Sequence, residues 1–232
     1  MPLRKWVESA NYAIEGILHA VKTQRHLRYH LYSVVLILLL SLIFGISQSK
    51  FIAIAIVAIV VLSVEMLNTA IEATVDILFK EYDERARVIK DIAAGAVLIT
   101  AAGAAVIGYV VFLPYLRDAF ENGLNIAKHS GENVALIALV VVLILVIITK
   151  TFFGKGTPLR GGMPSGHTAV AFSVWVAVIF LTEAFLPSFL ILILAVLIAQ
   201  GRVSVGAHKP WEVILGAMLG SAITFALFKL FL

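Results

Sequence analysis

The stretch Lys155-Gly-Thr-Pro-Leu-Arg160-Gly-Gly-Met-Pro-Ser165-Gly-His167 interrupts a chain that is otherwise largely hydrocarbon. It gathers two cations, four glycines, two prolines, a serine and a histidine between two apolar runs, 134–148 and 168–181. Apolar runs on both sides read as helices in a bilayer, so the loop belongs at a membrane surface. Glycine-rich backbone can turn several N–H groups toward one anion. Lys155 and Arg160 add charge, and the following helix begins there with its positive dipole end. The loop has the makings of a phosphate cradle placed where a lipid headgroup arrives.

The rest of the chain conforms to that class. Of its 232 residues, 61% are hydrophobic and 14% charged, and the mean hydropathy is +1.03. A span takes about 20 apolar residues, and seven segments qualify: about 31–48, 51–79, 92–114, 133–149, 167–183, 187–201 and 211–231. The expected fold is an all-α polytopic membrane protein, with an N-terminal interfacial amphipathic helix, a three-span bundle and then a four-span bundle. The absence of cysteine excludes disulfides and thiolate metal sites. The formal charge of +4 calls for no nucleic acid, since anionic headgroups are partner enough. The first ~30 residues lack the apolar run of a cleavable signal.

Residues 4–24 carry Trp6, Ala10, Ala13, Ile17 and Val21 on one side at helical spacing, with Arg4, Lys5, Glu8, Glu15 and Lys22 mostly elsewhere. That pattern fits a helix lying in the interface. Arg25, Arg28 and His30 precede the first span, which puts the N-terminus in the cytoplasm; the expected location is the inner (cytoplasmic) cell membrane. The second span holds Glu65, Asn68, Glu72 and Asp76. At about 100° per residue these four project within a sector of about 80°. Ionisable groups at such depth are costly and usually functional; the alternative is a stripe packed against polar neighbours. Lys90 and Asp91 open the third span after a charged loop, 80–87. Stacked carboxylates beside a Lys–Asp pair suit a metal–nucleotide. Carboxylates share Mg²⁺ with phosphate oxygens, one acts as base on an alcohol, and the lysine offsets transferred charge.

Glu65-Met-Leu-Asn68-Thr-Ala-Ile-Glu72 with Asp76, and Lys90-Asp91-Ile-Ala-Ala-Gly-Ala-Val-Leu, resemble the prokaryotic diacylglycerol/undecaprenol kinase family. The resemblance covers about residues 5–113, including Gly16 and the cationic run before the first span. It implies Glu65 as base on the lipid hydroxyl, Glu72 as a Mg²⁺ ligand, and Asn68, Asp76, Lys90 and Asp91 around the nucleotide. It also implies Mg²⁺ and ATP as cofactors of this half, and a homotrimer with sites shared between subunits. Where the family has a second metal-binding glutamate, this chain has Gln24, whose amide oxygen is a weaker ligand and brings no charge.

Residues 114–133 form the one long polar linker, so the expected domains are 1–117 and 134–232, joined by 118–133. In the second, Gly201-Arg202-Val-Ser-Val-Gly-Ala-His208-Lys-Pro-Trp-Glu212 answers the opening loop. One helix in and one helix back bring both loops to the same membrane face, so His167 and His208 are expected to meet over one phosphate. A neutral imidazole attacks a phosphate ester when a carboxylate fixes its tautomer, and Glu212 lies one helical turn from His208. His167 is placed to protonate the leaving alkoxide. Lys155, Arg160, Arg202 and the backbone of Ser165 and Gly166 would hold the non-bridging oxygens. This half needs no cofactor. Taken singly, His208 reads as a helix cap and Arg202 as a snorkelling cation; their matched order argues for a site. His19, His26, His30 and His129 lack such company and read as interfacial.

The second half resembles the type 2 phosphatidic acid phosphatase/haloperoxidase superfamily, whose pattern is Lys-x6-Arg-Pro, Pro-Ser-Gly-His and Ser-Arg-x5-His-x3-Asp. Pro164-Ser165-Gly166-His167 matches in full, and Arg202 and His208 keep their spacing, with Gly201 for Ser and Glu212 for Asp. Lys155-x4-Arg160-Gly is two residues short and lacks the proline, while Lys150 lies too far from Arg160. The resemblance implies hydrolysis of a lipid phosphate monoester or diphosphate through a phospho-histidine, with a lipid phosphate as substrate and membrane lipids as surroundings. Two functions compete: an ATP- and Mg²⁺-dependent lipid kinase modulated by the second half, and an ion transporter or channel built on the intramembrane acids. Span counting and basic residues (Lys150, Lys155, Arg160, Arg202 and Lys209, against Arg117 and Lys128) put the phosphatase-like loops on the cytoplasmic side, whereas the resemblance implies the outer face.

Overall fold

The computed structural model describes residues 2–123, 126–152 and 162–232, with side chains from Glu8 onward. Among these there are eight α-helices and no strand: α1 (Pro2–Thr23), α2 (Arg25–Phe44), α3 (Gln48–Leu78), α4 (Glu84–Asn122), α5 (Gly131–Phe152), α6 (Gly166–Thr182), α7 (Phe185–Ser204) and α8 (Pro210–Phe231). Six of them, α2 to α5 with α7 and α8, are long and apolar enough to cross a membrane; α6 is a shorter apolar helix. The chain is an all-α polytopic membrane protein. It divides into two compact units, Thr23–Ile126 and Met1–Lys22 with Ala127–Leu232. Helix α1 therefore groups with α5 to α8, whereas the sequence places it with the first bundle.

In the unit Thr23–Ile126, α2 stops at Gly45, whose left-handed backbone (φ 59°, ψ 45°) no β-carbon opposes. That ends the first span earlier than the expected residue 48. Helix α3 has 31 residues, about 46 Å at 1.5 Å per residue, against a hydrocarbon core of about 30 Å. Its Asp76 end therefore reaches the headgroup layer or the helix tilts. Ile54, Val61, Glu65 and Val75 recur at helical spacing and form its buried face. Helix α4 starts where Asp83 accepts the N–H groups of Arg85 (2.7 Å) and Ala86 (3.4 Å). It then runs through Pro114 to Asn122, so the first part of the expected linker is helical. The proline costs one backbone bond, but pairs one turn apart hold the extension: Arg117 Nε to Glu121 (2.9 Å) and Asn122 Nδ2 to Asp118 (2.8 Å).

The other unit is organised by the crossing of α6 and α8. Gly216 and Gly220 lie one turn apart on α8, and a β-carbon at either would collide with the carbonyl oxygen of Ser165 or Ala169. Small residues at that spacing let two helix backbones touch. Buried Ser173 and Thr224 share a hydrogen bond of 2.7 Å across the same seam, and Phe180 stacks on Phe228 at 4.8 Å. Val142 and Val146 of α5 pack against Ala169, and the His129 N–H donates to the Phe231 carbonyl (2.8 Å), fastening the start of α5 to the end of α8. This antiparallel order brings the C-terminal ends of α5 and α7 and the N-terminal ends of α6 and α8 to one end of the unit.

Candidate active site

At that end the chain between α7 and α8 is a wound turn. The N–H groups of Ala207 and His208 both donate to the Arg202 carbonyl (3.1 Å each), with Gly206 at φ +65° making the reversal. Helix α8 opens with Lys209 as N-cap, Pro210 at its first turn and Glu212 at the third position. The Glu212 carboxylate reaches back to the Lys209 N–H (3.2 Å) and the same oxygen, Oε2, meets His208 Nδ1 at 3.0 Å. A helix cap thus doubles as the orienting group of an imidazole. His208 is 6% exposed and Glu212 8%. With Nδ1–H donated to the carboxylate, Nε2 keeps its lone pair. Burial pushes the His208 imidazole below its usual range, the Glu212 hydrogen bond opposes this, and the charges of Lys150 and Arg202 push further down. The net shift favours the neutral ring.

The Pro164–His167 segment is locked to this turn. Ser165, fully buried, stands at the N-cap position of α6 without a side-chain cap; its N–H donates to the Glu212 carbonyl (3.0 Å), while Thr168 Oγ1 donates to Ser165 Oγ (3.0 Å). His167 follows on the first turn of α6. His167, His208, Gly166 and Lys150, the last in the final turn of α5, line one cavity of about 550 Å³. Apart from these, every lining side chain is hydrocarbon. His167 lies within electrostatic reach of Arg202, Lys150 and His208. The structure therefore brings together His167, His208, Glu212, Ser165, Gly166 and Arg202, while Lys155 and Arg160 lie outside the described residues.

Lys150 is the residue that sequence spacing set aside. Measured from Arg160 it is misplaced. Measured forward, six residues separate it from Thr157-Pro158, which keeps the interval and the proline of the superfamily's first pattern and replaces only its arginine. That alternative count was the available signal.

In the unit Thr23–Ile126 the acidic stripe of α3 grades from buried to open. Glu65 is 3% exposed, Asn68 and Glu72 are half-buried, and Asp76 is exposed. Asn68 Nδ2 donates to Glu72 Oε1 at 3.1 Å, and Asn68 Oδ1 is buried without a hydrogen-bond partner. Lys90 of α4 pairs with Asp76. Asp91 instead faces Arg87 at 3.5 Å, within a surface group that includes Glu84 and Tyr82. Gln24 is the N-cap of α2 and makes no side-chain cap. Among the described residues no three His, Cys, Asp or Glu side chains converge as a metal cluster. An orphaned amide oxygen beside the Glu72 carboxylate does fit a hard cation whose shell is completed by phosphate oxygens and water.

Comparison with known proteins also divides the chain in two, but it assigns residues 11–22 to the first part rather than to the unit of the two histidines. The prokaryotic diacylglycerol kinase family matches residues 11–112, and the PAP2 superfamily matches residues 147–232. A diacylglycerol kinase of Synechocystis sp. is 35% identical over 124 residues, 50% of this chain and 71% of that protein. An undecaprenol kinase of Bacillus subtilis is 32% identical over 114 residues, 49% of this chain and 93% of that protein. No solved structure matches. The chain belongs to the prokaryotic diacylglycerol kinase family through its first half, and a PAP2-superfamily domain follows it.

Proposed function

We propose that this lipid kinase–phosphatase fusion acts chiefly as a phosphatase on a membrane lipid phosphate, through a phospho-histidine on His208. The observation that carries the reading is the His208 Nδ1–Glu212 contact of 3.0 Å beside a cavity that His167 and Lys150 also line. His208 Nε2 attacks phosphorus as the bond to the lipid oxygen breaks, and His167 gives its proton to the departing alkoxide. Glu212 stabilises the imidazolium form of the product. His167 then takes a proton from water, whose oxygen attacks phosphorus, releasing inorganic phosphate and freeing His208. Lys150 and Arg202, with Lys155, Arg160 and the backbone at Ser165 and Gly166, hold the non-bridging oxygens. No cofactor enters these steps. An apolar cavity behind the histidines favours a lipid ester over a soluble one.

In the kinase-family unit, Glu72 and the Asn68 oxygen would hold Mg²⁺, which shields the phosphates of ATP when bound; Glu65 would act as base, with Asp76, Lys90 and Asp91 toward the nucleotide. Gln24 in place of a carboxylate weakens this half, which is why the phosphatase ranks first. By analogy with the kinase family, the chain would assemble as a homotrimer with sites shared between subunits. Arg25 and Arg28 in the first turn of α2 favour a cytoplasmic N-terminus, and the kinase-family relationship favours the inner membrane.

The test assays purified wild type, His208→Ala and Glu65→Ala on lipid phosphates and lipid alcohols, with and without Mg·ATP. Phosphate release in EDTA that disappears only in His208→Ala is the expected result. ATP-dependent lipid phosphorylation lost only in Glu65→Ala, with no phosphate release by wild type, reverses the ranking.

A further inference from the structure

Helix α1 lies largely within the kinase-family match, which begins at residue 11, yet it belongs to the compact unit that holds the two histidines. Its residues Ile14, Ile17, Leu18 and Val21 recur at offsets of three and four, one face of a helix. Val21 and Leu18 are buried, at 0% and 3%, and Ile14, Ile17 and Leu18 line the same cavity as Lys150, His167 and His208. Tyr12, which does not line the cavity, is 71% exposed, against 43% for Ile14 and 36% for Ile17. The cavity wall opposite α1 comes from α5, α6 and α7 and is hydrocarbon, as with Leu143, Val174 and Leu194. Cations and imidazoles at the helix ends and hydrocarbon beyond them match the two parts of one molecule, an anionic head and an apolar chain. A soluble phosphate has no use for the second part.

We infer that α1 is the specificity wall of the phosphatase site: Ile14, Ile17 and Leu18 bound a slot that receives the hydrocarbon chain of the lipid phosphate whose head meets Lys150, His167 and His208. This rests on the phosphatase reading for its head-group end. At about 550 Å³ the slot is of ordinary ligand size, so it holds a segment of chain and not a whole lipid. A helix shared in sequence with kinases thus serves the neighbouring reaction.

Two measurements test this. The first compares kcat/KM for dioleoyl and dibutyryl phosphatidate in detergent micelles. Because each buried methylene is worth about 0.8 kcal/mol, or about fourfold, filling the slot with Ile17→Trp is expected to cut the long-to-short ratio by about tenfold or more. Tyr12→Trp, at an exposed residue that does not line the cavity, keeps the wild-type ratio. The second needs no turnover. The chain has no cysteine, so Ile17→Cys and Tyr12→Cys each carry a single thiol whose alkylation by N-ethylmaleimide is followed. Dioleoyl phosphatidate is expected to slow alkylation in Ile17→Cys and not in Tyr12→Cys, and inorganic phosphate or dioleoylglycerol to protect much less.

Protection with phosphate release supports both readings. Protection without any phosphate release keeps the wall and removes hydrolysis. Release that depends on His208, with an unchanged ratio and no protection, overturns the wall and keeps the phosphatase. Equal protection by dioleoylglycerol overturns the link between slot and head-group site.

Discussion

Two charged contacts, one in each unit, differ in how far the protein has taken them out of solvent. His208 and Glu212 meet with side chains 1% and 10% exposed, whereas Lys90 and Asp76 meet with 36% and 65% exposed. A carboxylate–imidazole contact in low dielectric is strong and holds one geometry before anything binds; an open pair is screened and free to exchange partners. Burial of the spanning helices varies within each unit. In the unit of the two histidines 39% of the spanning window of α5 and 33% of that of α8 is buried, but 6% of that of α7; in the other unit the shares are 28% in α2, 17% in α3 and 11% in α4. What sets the PAP2-superfamily unit apart is its packed centre, α5 and α8 beside the buried His208–Glu212 pair. In the kinase-family unit α3 and α4 leave most of their surface exposed, and the polar stripe runs from buried Glu65 to open Asp76.

If that contrast is right, the largest effect falls on the buried pair. His208→Ala is expected to lower phosphate release from lipid by at least about 10³-fold, the scale of losing a nucleophile, with the far-ultraviolet spectrum unchanged. A residual rate near wild type would transfer the chemistry elsewhere. Glu212→Gln keeps the shape and loses the charge, and the maximal rate is expected to fall by about 10²- to 10⁴-fold. Its pH profile adds a sign. The reactive imidazole is the neutral form, so activity fails as pH falls through the His208 pKa. That pKa is already lowered by burial, with Glu212 acting to raise it. Losing Glu212 therefore moves the acid limb to lower pH even as the maximum drops.

Much of this buried site is legible in the sequence, because its geometry is local. His208 and Glu212 are four apart at a helix start, so backbone geometry alone brings them together, and Ser165-Gly166-His167 marks a helix N-terminus by composition. What is not legible depends on tertiary choice. The apolar face of α1 says that a stripe is covered but not by which unit. The bond from the Ser165 N–H to the Glu212 carbonyl joins backbone atoms that no residue type announces. Pro114 reads as a helix end, and only the side-chain pairs beyond it carry α4 on to Asn122. Gly216 and Gly220 do have a readable spacing, but which helix presses on them is a matter of packing.

Intermediate effects sharpen the comparison. Lys150→Gln removes a cation from the cavity without touching the pair, so KM for a lipid phosphate is expected to rise about tenfold to a hundredfold, the worth of a charged hydrogen bond. Because the Lys150 charge lowers the His208 pKa, its loss moves the acid limb to higher pH, opposite to Glu212→Gln. Gly-to-Ala exchanges probe packing in each unit. A β-carbon at Gly220 runs into the Ala169 carbonyl, while one at Gly103 of α4 meets nothing within 4 Å. Gly220→Ala is expected to cost about 1–3 kcal/mol and Gly103→Ala to stabilise by about 0.5–1 kcal/mol, read as opposite shifts in thermal midpoint in one detergent.

The smallest effect is expected at the open pair. Lys90 and Asp76 bridge α4 and α3, but their exposure leaves them in contact with solvent ions, and pairs of that kind contribute about 0–1 kcal/mol. Lys90→Ala should therefore move the thermal midpoint much less than Gly220→Ala does, and the small difference should shrink further as salt shortens the screening length. The physical point is what Asp76 does without its lysine. In a self-contained unit, an abandoned carboxylate is a buried charge with a penalty of several kcal/mol; at an open helix end, it is simply hydrated. A large midpoint loss in Lys90→Ala, insensitive to salt, would mean that the kinase-family unit is closed around this pair as tightly as the other unit is around His208, and the contrast between the two halves would be gone.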